Sequence, residues 1–231
     1  MLRKIAQYLR PSPPPDFWSE YLQAFQQSPP SRHLPLAQIP FVVFDTETTG
    51  LNPRKDNLLS IGAVRVQGWQ LDVGQCFELY VQQSYQPQSS AVEVHGILPG
   101  QQPYKLPQEE AVKQFLKYCG NAVLVAHHLA FDLAVLNALL RPLAGDKLRN
   151  KGLDTARLAR RVAQRPDLAK PGTFGLDELC EQFHIPKSDR HTAAGDAYIT
   201  GLLLLKLLYR LKKRGVRTLG DLLAERRTGL R

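Results

Sequence analysis

Cysteine and long apolar runs are scarce in this chain, and each scarcity excludes something. Three cysteines, Cys76, Cys119 and Cys180, are odd in number and widely spaced among 231 residues. No CxxC pair occurs, so neither a disulfide framework nor a zinc knuckle is expected. A reducing, cytoplasmic compartment is the default expectation. The most apolar stretch, residues 201–209, is short and interrupted by Lys206. A bilayer takes about 20 apolar residues of helix, so no membrane association is expected. Arg3 and Lys4 are not followed by an apolar h-region, which argues against a secretory signal.

Acidic residues are also the minority charge. Asp plus Glu number 21 against 30 for Lys plus Arg, a net charge of +9. Several of those acids gather in one candidate site, so the remaining surface is more basic than the total. A polyanionic partner is favoured, and nucleic acid is the commonest one. Hydrophobic content of 43% leaves ample material for a core without covalent staples.

Proline is unevenly distributed, with 8 of 17 in the first 40 residues. Between two proline clusters, residues 16–26 could form one helix presenting Phe17, Trp18, Tyr21, Leu22 and Phe25. Those rings suit a docking segment or an ordinary packing face. Residues 1–40 are therefore read as an extension, 41–213 as the domain, and 214–231 as a basic tail. Within the domain, residues 41–44 are apolar on both faces, as in a buried central strand. Residues 59–67 and 75–81 read as neighbouring antiparallel strands. A helix over 108–118, a strand over 122–126 and a helix over 131–140 follow. After a mixed stretch at 153–162, helices are expected at 176–183 and from Thr192 to about residue 213, with a short one at 218–227. Strands first, then alternating helix and strand, predict an α/β fold with a mixed β-sheet flanked by helices.

Three segments carry the candidate chemistry. In the first, Asp45 and Glu47 close an apolar strand two residues apart, so both leave the same face. Adjacent anions near a core repel and lose hydration unless a cation compensates. Hard oxygen ligands suit Mg²⁺ or Mn²⁺. Alone, this pair also fits a solvated strand end. In the second, a strand ends at Ala126, His127 and His128 follow, and Asp132 falls in the first turn of a helix. The helix dipole favours a carboxylate there by about 0.3–1 kcal/mol, which by itself would account for it. In the third, His191 precedes the N-cap candidate Thr192, with Asp196 in the first turns beyond. Ala193, Ala194 and Gly195 between them are small enough to leave room for a phosphate. Taken singly, His191 also fits a surface loop. Taken together, four carboxylates could balance two divalent cations, the arrangement that serves phosphodiester hydrolysis. Histidine, which ordinarily changes charge between pH 5 and 8, could accept the proton from water.

FDTETTGL at 44–51, HHLAFDLAVL at 127–136 and HTAAGDA at 191–197 together resemble the motifs of the DEDD exonuclease superfamily, in its histidine-bearing branch. HGI at 95–97 and LDTARLARR at 153–161 are similar to the proofreading epsilon subunits of bacterial DNA polymerase III. The resemblance spans about residues 41–210. It implies an RNase H-like fold, two Mg²⁺ or Mn²⁺ ions, and stepwise 3′→5′ removal of nucleoside 5′-monophosphates. By position, it makes Asp45, Glu47, Asp132 and Asp196 the metal ligands and His191 the general base. It places Thr48 and Leu51 against the terminal nucleotide and His95 and Phe131 in its pocket, with His127 a histidine common in the second motif. His128 stands where the family usually has asparagine.

The implied substrate is a single-stranded or frayed 3′ end of DNA, with a polymerase as a possible partner. An RNA-trimming exoribonuclease of the oligoribonuclease or RNase T type is the near rival. A non-catalytic module that holds nucleic-acid ends is the distant one. Basic residues from Lys206 onward, and the group Arg157, Arg160, Arg161 and Arg165, could track a phosphate backbone. The residues at the helix end could equally complement its dipole.

Overall fold

The apolar run at 41–44 becomes the first half of the central strand of a five-stranded mixed sheet. The computed structural model of the chain describes residues 13–83, 104–163 and 172–224. Strands β1 (Phe41–Thr48), β2 (Leu58–Gln67) and β3 (Gln70–Tyr80) form an antiparallel meander. β4 (Val123–Ala126) pairs parallel to β1, and β5 (Gly152–Asp154) parallel to β4, giving the order β3-β2-β1-β4-β5. The β2–β3 turn is Gly68-Trp69, both in the left-handed region at φ 58° and 68°. Two positive-φ residues make the tight primed turn that matches strand twist. β3 starts five residues earlier than its composition suggests, because the turn lies at Gly68 and a register shift near Ala63 keeps the pairing going.

Alternation along β1 sorts its side chains between two helical layers. Phe41 and Val43 join a core built with α4 (Thr155–Val162), α5 (Leu176–Phe183), α6 (Ala193–Lys213) and α7 (Leu219–Leu223). Val42 and Phe44 face the opposite core, with Phe115 and Cys119 of α2 (Gln108–Cys119) and Val135 and Leu136 of α3 (Leu129–Ala144). The stretch 153–162, mixed by composition, divides at Asp154, whose carboxylate accepts from the amides of Ala156 and Arg157 and starts α4.

The N-terminal helix α1 (Asp16–Gln27) buries Trp18 and Tyr21 against Val112, Leu116 and Leu140. Tyr21 Oη donates to Asn150 Oδ1 at 2.5 Å and accepts from the Arg149 amide at 2.8 Å. Asn150 Nδ2 in turn donates to the carbonyls of Gly120 and Ala122, just before β4. At the other end of the chain, Thr218 and Asp221 form a reciprocal capping box that starts α7. Leu219 and Leu222 of that helix enter the core. The helix ends at Leu223, short of the expected 227, and residues 225–231 lie outside the described part. Among the described residues, no helix is long and apolar enough to cross a membrane.

Candidate active site

The acids collect at the carboxyl ends of the parallel strands β1 and β4, where open α/β sheets generally bind their ligands. β1 is long enough to carry Asp45 and Glu47 within it, both on the face that meets α6. Asp45 pairs in register with Gly62 of β2, and that glycine lets α6 come down onto the sheet. A Cβ at position 62 would lie 2.1 Å from the Ala193 carbonyl carbon and the Ala194 nitrogen. At Gly195, a Cβ would meet the Asp189 carbonyl oxygen at 1.9 Å. The small residues at the start of α6 are thus consumed by backbone packing. A side chain larger than hydrogen at position 62 or 195 would have to displace that backbone.

This packing carries Asp196 to the strand. One oxygen from each of Asp45, Glu47 and Asp196 lies within 4.8 Å of the others. Asp132 stands beside this trio but outside it. It is 3% exposed, and Thr46 Oγ1 donates to its Oδ1 at 2.7 Å. Thr46 faces the α3 layer, so this bond fastens α3 to β1 between the two strand acids.

Crowding and burial make these carboxyls reluctant to ionise. Burial, followed by repulsion from Asp132, Asp196 and Glu47, holds Asp45 well above the usual carboxylate range. Glu47 is pushed up to about 8 by burial and by Asp196 and Asp132. Asp132 is raised to about 7 by burial, with the Thr46 hydrogen bond pulling the other way. Asp196 is also raised by burial, against the pull of Arg190. A multivalent cation would relieve all four together.

Arg190 is the cation already there, and the sequence reading gave it no role. Its Nη1 donates to Asp196 Oδ2, while Nε and Nη2 grip Asp177 Oδ1 and Oδ2 at 2.9 and 3.0 Å. Its only sequence signal is its position, one residue before His191. Because the guanidinium occupies Oδ2, the other oxygen of Asp196 is left for another partner. Oδ1 is buried and has no hydrogen-bond partner. An orphaned carboxylate oxygen beside two more acids is a hard-oxygen donor set that fits Mg²⁺ or Mn²⁺.

The other singled-out residues occupy varied positions. His191 is exposed, at φ 66°, immediately before Thr192, whose hydroxyl accepts from the Gly195 amide and caps α6. Thr48 is buried, its hydroxyl donating to the Gly50 carbonyl at 2.6 Å. Leu51 just beyond is 90% exposed, unusual for leucine. Phe131 is partly buried against the α2–α3 core layer. His127 Nδ1 lies 2.8 Å from Thr155 Oγ1, and its Nε2 is buried without a partner. Burial first, and then His128, push the His127 ring down to about 4, so it stays neutral. His128 takes the N-cap of α3 at φ 63°. Asparagine tolerates that left-handed conformation better, which gives a backbone reason for the residue usual there. His95 and Arg165 lie outside the described residues.

Comparison with known proteins places this arrangement. A family model described as exonuclease, of the RNase T type, matches residues 42–204. The chain belongs to this exonuclease family. A "DNA polymerase III subunit epsilon-like protein" of Rhodobacter capsulatus is 36% identical over 194 residues, 83% of this chain and 27% of that protein. A "DNA polymerase III PolC-type" of Thermotoga maritima is 30% identical over 182 residues, 79% of this chain and 13% of its own length. The chain thus spans only about a quarter or less of these relatives. Among solved structures, E. coli exonuclease I in complex with a dT13 oligonucleotide superposes with a TM-score of 0.64. That match has 20% identity and covers 77% of this chain and 43% of the other, and it bears on the fold, which is RNase H-like as the motifs imply.

Proposed function

We propose that this chain is a metal-dependent 3′→5′ exonuclease that releases nucleoside 5′-monophosphates from single-stranded or frayed DNA ends. The observation that carries the reading is the acid trio with Asp196 Oδ1 buried and unpartnered. Asp45, Glu47, Asp132 and Asp196 would hold two Mg²⁺ or Mn²⁺ ions. Bound there, such ions supply Lewis acidity and offset the charge that develops on the attacking and leaving oxygens. His191, exposed at the turn before α6, accepts the proton of the attacking water as general base. Leu51 offers a solvated apolar face to the terminal base, beside Thr48. Phe131, His127 and His95 complete the pocket for that nucleotide.

DNA is favoured over RNA by the names of the relatives, which are polymerase III proteins, and of the structural neighbour, bound to dT13. The same names favour a polymerase partner. Free cysteines at 76, 119 and 180 suit a reducing cytoplasm. The catalytic unit is taken as residues 41–213, flanked by the extension and the basic tail.

The test is digestion of matched 3′-labelled DNA and RNA oligonucleotides with Mg²⁺. Mononucleotide release is expected, faster on DNA, and abolished by EDTA and by Asp196→Ala. His191→Ala should slow turnover on the order of 10²–10⁴-fold. Faster RNA turnover would reverse the substrate assignment. Undiminished release by Asp45→Ala would sink the mechanism.

A further inference from the structure

One surface feature stands apart from the acids. Between the end of α5 and the outer face of α6 runs a groove of about 580 Å³, lined by basic and aromatic side chains. Lys206, Arg210 and Lys213 come from α6, Phe183 and His184 from the end of α5, and no acidic residue lines it. Arg210 lies over the Phe183 ring at 4.0 Å, and Lys213 over the Tyr209 ring at 4.6 Å. Tyr209 is 56% exposed, a large ring open to water. Lys206 and Lys213 are exposed as well.

The placement relative to the acids is fixed by two contacts. Near the start of α5, Asp177 is tied through Arg190 to Asp196, near the start of α6. Further along, Phe183 at the end of α5 meets Arg210 of α6. The groove, lined by residues 182–184 and 205–213, therefore lies toward the far end of α6 from the acid cluster. At about 1.5 Å per residue, Lys206 and Lys213 lie roughly 15 and 25 Å along α6 from Asp196.

We propose that this groove is a second nucleic-acid subsite, holding the strand several nucleotides upstream of its 3′ end. The inference rests on the exonuclease reading for the identity of the polyanion, and charge complementarity selects the occupant. Lys206 and Lys213 meet phosphates, and Tyr209 offers a ring on which a base can stack, a pairing that suits single strands of any sequence. The subsite makes affinity depend on substrate length while leaving the chemistry at the terminal nucleotide alone.

The experiment compares wild type with Lys206→Gln/Lys213→Gln and with Tyr209→Ala. Binding of a labelled single-stranded DNA of about 12 nucleotides is measured in EDTA against salt, since a spanning strand must be longer than the groove. Turnover of a dinucleotide with Mg²⁺ is measured alongside. The double variant should bind the long strand several-fold more weakly, with the slope of log K against log salt reduced by roughly 1.4, or about 0.7 for each lost phosphate contact. Tyr209→Ala should weaken binding without changing that slope. Dinucleotide turnover should be unchanged in both, which also shows that both variants fold. An unaltered slope and affinity in the double variant would overturn the proposal. So would tighter binding of an oligoglutamate of equal charge, lost in the same variant, which would assign the groove to an acidic protein. If wild type digests neither substrate yet the long-strand slope still falls, the exonuclease reading fails and the subsite stands.

Discussion

Arg190 bridges Asp196 and Asp177, giving one guanidinium nitrogen to the first and two to the second. The Arg190 and Asp196 side chains are only 15% and 9% exposed, so water can do little to replace either partner. Arg190→Ala should therefore destabilise the metal-free protein by about 3 kcal/mol, as breaking a buried pair typically does. Urea unfolding in EDTA measures this. With saturating Mn²⁺ the loss should shrink, because a cation bound to the native state takes over part of the neutralisation. Equal losses in both conditions would show that Arg190 and the metal do not share Asp196.

Stability of the metal-free protein should fall as pH rises from about 4 to about 8. Glu47 and Asp132 bind protons up to about 8 and about 7 in the folded chain, and Asp45 and Asp196 are raised as well. In the unfolded chain these acids ionise near 4, so across the window the native state holds more protons and loses ground as they become scarce. Below the window, acids are protonated in both states and these four contribute no slope. Melting temperature against pH in EDTA and in Mg²⁺ is the measurement. A slope that survives saturating Mg²⁺ would detach it from these acids.

Gly62→Ala should cost metal affinity as well as stability. Overpacking costs about 1–3 kcal/mol, but here the added methyl meets the backbone of the first residues of α6. Relief requires that helix to lift, which takes Asp196 away from Asp45 and Glu47. Calorimetric Mn²⁺ titration should show binding weakened at least tenfold, with far-UV circular dichroism unchanged. Wild-type affinity in a folded variant would refute the view that this glycine lets α6 carry Asp196 to the strand acids.

His128→Asn should stabilise the protein by roughly 0.5–1 kcal/mol, since asparagine takes the left-handed N-cap of α3 at less strain. Denaturant midpoints check this, and a lower midpoint would point to a role for the imidazole packed at 4.5 Å from His127.

Much of this site is legible along the chain because its parts are local. The apolar run before Asp45, the strand–histidine–helix sequence at 123–132 and the Thr192 cap each declare their structure within a few residues. What the sequence does not disclose depends on side chains meeting across the fold. Thr46 reads as a strand threonine until its hydroxyl meets Asp132 from the other layer. Gly62 reads as a weak spot in a strand until α6 is set against it. Asp177 reads as a helix-start acid, which its sequence position explains, and only packing reveals Arg190 in its grip. β5, three residues long, is too short for periodicity to mark.

The Tyr21–Asn150 clasp holds α1 where β4 and β5 begin, at the opposite end of those strands from the acids. A molecular handle fixed to α1, such as a fluorophore or an immobilising linker, would therefore stand a sheet's length from the acid cluster. Work on the tethered protein could use that side of the molecule and leave the acid cluster accessible.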